Sequence, residues 1–156
     1  MPGKFKFIDR TQPITISADF HDVLSGNSLA RFIVDIVNQL DLSSIEAGYS
    51  ELGSKAYPPN MMLSLLFYCY SRGIFSSRNI EQAIYEMTPV MFITHGEHPD
   101  HTAIARFRKR FGKEIEKLFA DILEISAEMG CFRLGDIALD GTKIKANASE
   151  HKALSY

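Results

Sequence analysis

One short segment near the middle of the chain is apolar on every side when it is read as a helix. Pro58 and Pro59 suit the first turn of a helix, and residues 61–70 that follow are apolar except for Ser64. A helix that is apolar all round must be covered by neighbours on every side. The segment therefore predicts a helical domain built around a buried helix at 58–73. Ten residues are too few to cross a bilayer, which takes about 20.

A long apolar stripe later in the chain is predicted to cover this central helix. Its members recur at steps of three and four residues, as one face of a helix does: they are Ile104, Phe107, Phe111, Ile115, Leu118 and Ile122. We expect Gly112 to kink or divide this helix, which Met129 and Gly130 end. The side chains predicted to be buried together are Leu63, Leu66, Phe67, Phe107 and Phe111.

Shorter helices are predicted from cap residues and from the same periodicity. They run from Ser28 as an N-cap to Leu40, for one turn within 42–48, from Ser77 as a cap to Met87, and over 88–92. Residues 1–18 are predicted to form an N-terminal arm or a short strand. The predicted organisation is thus an arm, a helical unit over 19–130, and a different segment over 131–156.

Composition excludes several classes of protein. A hydrophobic fraction of 46% and a charged fraction of 23% are those of a globular domain, not of a disordered chain. A net charge of −2 excludes a protein that is basic overall, but it allows a local basic patch. Cys69 and Cys131 suggest no disulfide framework, and residues 1–20 lack the apolar core of a signal peptide. A cytoplasmic protein is expected.

The apolar stripe is flanked by an unusual concentration of positive charge. Residues 101–117 carry a net charge of +4, from six cations and two carboxylates. Away from the stripe we place Arg106, Arg108, Lys109, Arg110 and Lys113 as candidate DNA-binding residues, because cations on one side of a helix can neutralise phosphates. The preceding helix near 77–87 allows the interpretation of a helix-turn-helix-like arrangement. The other interpretation, a solvated charged face, stays open at this point.

Three histidines precede the basic helix and suggest a metal site. His95, His98 and His101 alternate with Glu97 and Asp100. Their spacing fits no common zinc pattern, and no cysteine lies nearby. Asp100 or His101 is more simply explained as the entry to the next helix.

The last segment of the chain has the alternation of a strand. Ile137 and Leu139 alternate with Asp136 and Ala138, and Asp140-Gly141 is a turn dipeptide, so a hairpin is predicted. Asp140 has two interpretations. It begins a turn, or it is a metal-binding carboxylate held rigidly at the end of a strand.

Four segments, in this order, resemble the bacterial insertion-sequence transposases of the DDE type that have an InsH-like N-terminal domain. They are YPPNMML at 57–63, SSRNIE at 76–81, PDHTAIARFR at 99–108 and ALDGTKIKANAS at 138–149. The similarity covers about residues 15–149. It implies a mainly α fold, in which a helical DNA-binding domain is followed by the first strand or hairpin of an RNase H-like α/β catalytic domain.

The resemblance also implies chemistry and partners. Asp140 matches the first carboxylate of a catalytic triad that holds Mg²⁺ for strand transfer at a phosphodiester, and the expected partner is the double-stranded DNA of the transposon ends. The chain ends before the other two carboxylates, so we expect an N-terminal part, located at the nucleoid, that lacks strand transfer on its own. Two alternatives stay open: an interaction module that pairs with, and inhibits, a full-length transposase through the helix at 58–73, and a product without activity. A homodimer is a further expectation, and no membrane association is expected.

Overall fold

The computed structural model describes residues 9–13, 15, 19–50 and 55–130. These residues form helices and the loops between them, with no strand among them, which confirms the mainly α class. The helices are α1 (Phe20–Val23), α2 (Leu29–Val37), α3 (Ser43–Glu46), α4 (Pro59–Ser71), α5 (Ser77–Glu86), α6 (Thr88–Thr94), α7 (His101–Arg110) and α8 (Gly112–Glu128). The predicted hairpin around Asp140 lies outside the described residues.

Side chains that accept backbone N–H groups mark where several helices begin, α2, α5 and α7 among them. Ser28 Oγ accepts from the Arg31 amide at 3.3 Å, as predicted for α2. Asp100 Oδ1 accepts from the Ala103 amide at 2.7 Å, so the acidic residue before His101 is indeed the entry to α7. The prediction that Ser77 caps α5 is wrong by one residue. Ser76 has the extended backbone that an N-cap requires, and its Oγ accepts from the Asn79 amide at 3.1 Å.

Helix α4 lies at the centre of the domain. Residues 62–69 are all buried, and α4 packs against α2 and α6. The five side chains predicted to be buried together belong to one core cluster: Leu63, Leu66, Phe67, Phe107 and Phe111. Phe67 also meets Phe119 of α8 edge-on, with ring centroids 5.1 Å apart. The all-round apolar segment is therefore the core helix that its sequence predicts.

The long stripe is buried along its whole length, but it belongs to two helices. No member is more than 6% exposed. The break between α7 and α8 falls at Phe111, whose backbone leaves the helical region with φ −116° and ψ 25°. The predicted helix is thus divided next to Gly112, where a kink or a division was expected from the sequence. Among the described residues, no helix is both long enough and apolar enough to span a membrane.

The turn after α3 approaches the break between α7 and α8 very closely. A Cβ on Gly48 would lie 2.7 Å from Phe111 Cε1, whereas a Cβ on Gly112 would meet nothing within 4 Å. We therefore expect Gly48→Ala to lower the free energy of unfolding by about 1–3 kcal/mol, because the Phe111 ring must move. Gly112→Ala is the matched control.

The control makes the same chemical change in open space at the first residue of α8, and it should leave stability unchanged or raise it by up to about 1 kcal/mol. Urea unfolding followed by circular dichroism measures both variants. Equal stabilities of the two would contradict the close approach at Gly48.

Candidate nucleic-acid interface

The outer side of α7 and the start of α8 carry a group of exposed cations. We call Arg106, Lys109, Arg110 and Lys113 the basic face; all four are exposed. Lys109 and Arg110 follow Arg106 by three and four residues, which places both next to Arg106 on one side of the helix. That side is opposite Ile104, which is fully buried. These charges are therefore in contact with water, while the apolar stripe packs both helices onto the core.

The cations of the basic face are not paired with acidic side chains of the described residues. Within the described residues, none of its four side chains makes a hydrogen bond or an ion pair with the protein. One turn further along α8, Lys117 lies near Asp41. The pKa of Asp41 is lowered chiefly by hydrogen bonds from Ser43, with a smaller contribution from Lys117. The four cations of the basic face make no ion pair among the described residues and are available to an anion.

Aromatic rings hold the cation nearest to the helix break. The Arg110 Cζ lies 5.2 Å from the centroid of the Tyr49 ring and 5.1 Å from that of Phe111. The two rings are 5.4 Å apart. Burial raises the pKa of Tyr49, and the nearby positive charge of Arg110 opposes that rise. Arg110 is thus an exposed cation with an aromatic support, which no other member of the basic face has among the described contacts.

Arg108 does not belong to the exposed face. Its guanidinium is half-buried and donates to Tyr70 Oη at 3.0 Å, to Ser77 Oγ at 2.7 Å and to the Phe75 carbonyl oxygen. These acceptors lie at the end of α4, in the loop that follows, and at the start of α5. Arg108 therefore ties α7 to three neighbouring segments, and we omit it from the proposed DNA-binding set.

Comparison with known proteins assigns the sequence of this chain to a family. A family model described as transposase domain (DUF772) matches residues 18–110, more than half of the chain. The chain belongs to the transposase domain (DUF772) family. No curated protein and no solved structure gives a significant match. The match supports a transposase-related role, whereas the InsH-like and DDE features of the resemblance stay predictions.

The matched segment of this transposase domain ends at Arg110, at the end of α7. It therefore includes three members of the basic face and the α4 core helix. The catalytic and metal residue suggested by the resemblance, Asp140, lies outside both the match and the described residues. Within the described part of the chain, no group of three or more His, Cys, Asp or Glu side chains is arranged to hold a metal ion.

The three histidines of the transposase domain have different neighbours. His101 Nδ1 lies 2.7 Å from Glu81 Oε2, which also accepts from the His101 amide and so links α5 to α7. The ring of His98 stacks on Tyr85 at 4.7 Å. His95 ends α6 in the left-handed region, with φ 48°. Their positions explain the alternating pattern as loop and helix-end geometry.

Helices α5 and α7 pack against each other, as the helix-turn-helix interpretation requires. Residues 87–100 separate them, however, and include the whole of α6. A helix-turn-helix joins its two helices by about three or four residues. The connection in this transposase domain is therefore of a different kind.

The spacing of Arg108 in the sequence indicates an internal position, although its charge suggests an exposed one. Arg108 lies four residues after Ile104 and three before Phe111, which puts it on the buried side of the helix. No such signal exists for Tyr49. It lies in a loop about 60 residues away from Arg110 along the chain, and only the fold brings the two side chains together.

Proposed function

We propose that this transposase domain binds double-stranded DNA, at the ends of its mobile element, through the basic face. The observation that carries the proposal is a set of four exposed cations that make no hydrogen bond and no ion pair with the described residues: Arg106, Lys109, Arg110 and Lys113. Phosphate contacts by such cations release condensed counterions, so they contribute most of the affinity and make it depend on salt. They also set the position of the protein on the duplex.

The basic face supports phosphate binding better than base recognition. Its side chains are Arg and Lys on one side of a helix. The first amide of α7, that of His101, already donates to Glu81, so it is not offered to DNA. We therefore assign this surface to positioning on the DNA backbone, without a sequence preference of its own. Strand transfer by the segment that contains Asp140, with Mg²⁺, and work at the bacterial nucleoid stay predictions from the resemblance.

The alternative of a protein-interaction module lacks a supporting observation. It would use the helix at 58–73, but residues 62–69 of α4 are buried within the domain itself. Little of that helix is left to meet a full-length transposase. DNA binding is therefore the function that the surface supports best.

The test is the salt dependence of binding to a labelled duplex, followed by fluorescence anisotropy. Because each phosphate contact contributes about 0.9 to the slope of log K against log salt, Arg106→Ala combined with Arg110→Ala should lower that slope by about two and weaken binding. The loss should be equal for the terminal sequence of the element and for an unrelated duplex, because phosphates are common to both.

The matched control removes two cations from other exposed positions, Lys55 in the loop before α4 and Arg78 on α5. It changes the net charge of the protein by the same amount, so it separates contacts at the basic face from a general effect of charge. Circular dichroism verifies that both variants are folded. Unchanged affinity and slope in the Arg106/Arg110 variant, or an equal loss in the control, would overturn the proposal.

A further inference from the structure

The two aromatic rings that contact Arg110 come from separate parts of the chain. Phe111 is only 4% exposed, so its ring is fixed in the core. The turn after α3 packs directly onto this ring, because Gly48 has no side chain to keep it away. Tyr49, the next residue, places its half-buried ring 5.4 Å from Phe111 and under the guanidinium of Arg110.

We propose that Tyr49 is a positioning residue of the DNA-binding surface, whose ring holds the Arg110 guanidinium ready to meet a phosphate. The proposal rests on the proposed DNA-binding function and adds the turn after α3 to that surface. A guanidinium uses its flat face for an aromatic ring and its edge for phosphate oxygens, so both contacts can be made at once. Arg110 remains exposed and has no hydrogen bond within the described residues, so its donors are available.

The physical gain is preorganisation. A long cationic side chain samples many rotamers in the free protein, and ordering it at an interface lowers the affinity. The two rings restrict Arg110 before DNA arrives. Lys109 and Lys113 have no ring contact among the described residues, so a phosphate has to order them.

Tyr49→Leu and Tyr49→Phe form the decisive pair of variants. Leucine removes the ring, and the affinity for duplex DNA should fall about 2- to 5-fold, the value of an exposed cation–π contact. The salt slope should stay at the wild-type value, because Arg110 keeps its charge. Phenylalanine keeps the ring and should bind as the wild type does. A loss of affinity in Tyr49→Phe would overturn the proposal, because it would assign the effect to the hydroxyl.

A double-mutant cycle shows whether Tyr49 acts through Arg110. In an Arg110→Ala background, Tyr49→Leu should have no further effect on DNA affinity. Additive losses would overturn the proposal, since they would mean that Tyr49 contacts DNA directly or merely stabilises the fold. Thermal unfolding of each variant confirms that binding is measured on folded protein.

A measurement without DNA separates this proposal from the proposed function. Nitrogen-15 relaxation at the Arg110 Nε in the free protein reports the order of the side chain, which should fall in Tyr49→Leu and persist in Tyr49→Phe. Equal order in all three proteins would overturn the role of Tyr49 even if the domain binds DNA. Normal order in a wild-type protein that shows no salt-dependent DNA binding would instead overturn the proposed function.

Discussion

Replacing Phe107 by alanine should lower the free energy of unfolding by about 3–5 kcal/mol, the usual cost of emptying a core aromatic site. Phe107 is 5% exposed and belongs to the same core cluster as the α4 side chains Leu63 and Leu66. Its ring lies 5.4 Å from that of Phe111, at the point where α7 gives way to α8. Since domains are typically stable by about 5–15 kcal/mol, this single change removes a large share of the total.

Urea unfolding followed by circular dichroism measures the effect, and Phe107→Leu provides the control. Leucine refills much of the volume and stays apolar, so it should recover most of the loss. A midpoint that barely moves in Phe107→Ala would place this ring outside the core. The packing of α7 against the rest of the domain would then be wrong.

Replacing Arg108 by methionine should lower the free energy of unfolding by about 2–4 kcal/mol, although an arginine in a basic run looks like a surface residue. Methionine keeps an unbranched stem but offers no donor. Tyr70 Oη, Ser77 Oγ and the Phe75 carbonyl oxygen would all lose the guanidinium that now donates to them. Helix α7 would then lose these hydrogen bonds to α4, to the loop that follows it and to α5.

Lys109→Met is the matched control, because it removes the same charge at the next residue. Lys109 is exposed, so its replacement should change stability by no more than about 0.5 kcal/mol. Under the proposed function the two variants should behave oppositely with DNA. Lys109→Met should lower the salt slope by about one, and Arg108→Met should leave it unchanged while the protein is folded. Equal stabilities of the two variants would contradict the internal role of Arg108.

Local periodicity in the sequence was sufficient to predict the helical core. The apolar run of α4 and the three-and-four spacing from Ile104 to Ile122 depend only on which residues share a helix side, and both predicted buried sets are buried. Ser28 was identifiable as an N-cap, and Asp100 as one of two candidates with His101, for a similar reason, since a cap bonds an amide two or three residues away. The family match over residues 18–110 agrees with the transposase part of the resemblance. The arm at 1–18, the boundaries of the helical unit at 19–130 and the segment at 131–156 stay predictions.

Tertiary structure decided what the individual polar side chains do. Ser76 and Ser77 are neighbours of the same type, yet one caps α5 and the other accepts from Arg108, more than 30 residues further on. Arg108 and Arg110 differ by two residues in one run, yet one is bonded internally and the other rests on the ring of Tyr49. Apolar burial is repeated along a helix, so a sequence period reveals it. A hydrogen bond or a ring contact joins single atoms from distant segments, so it exists only once the chain has folded.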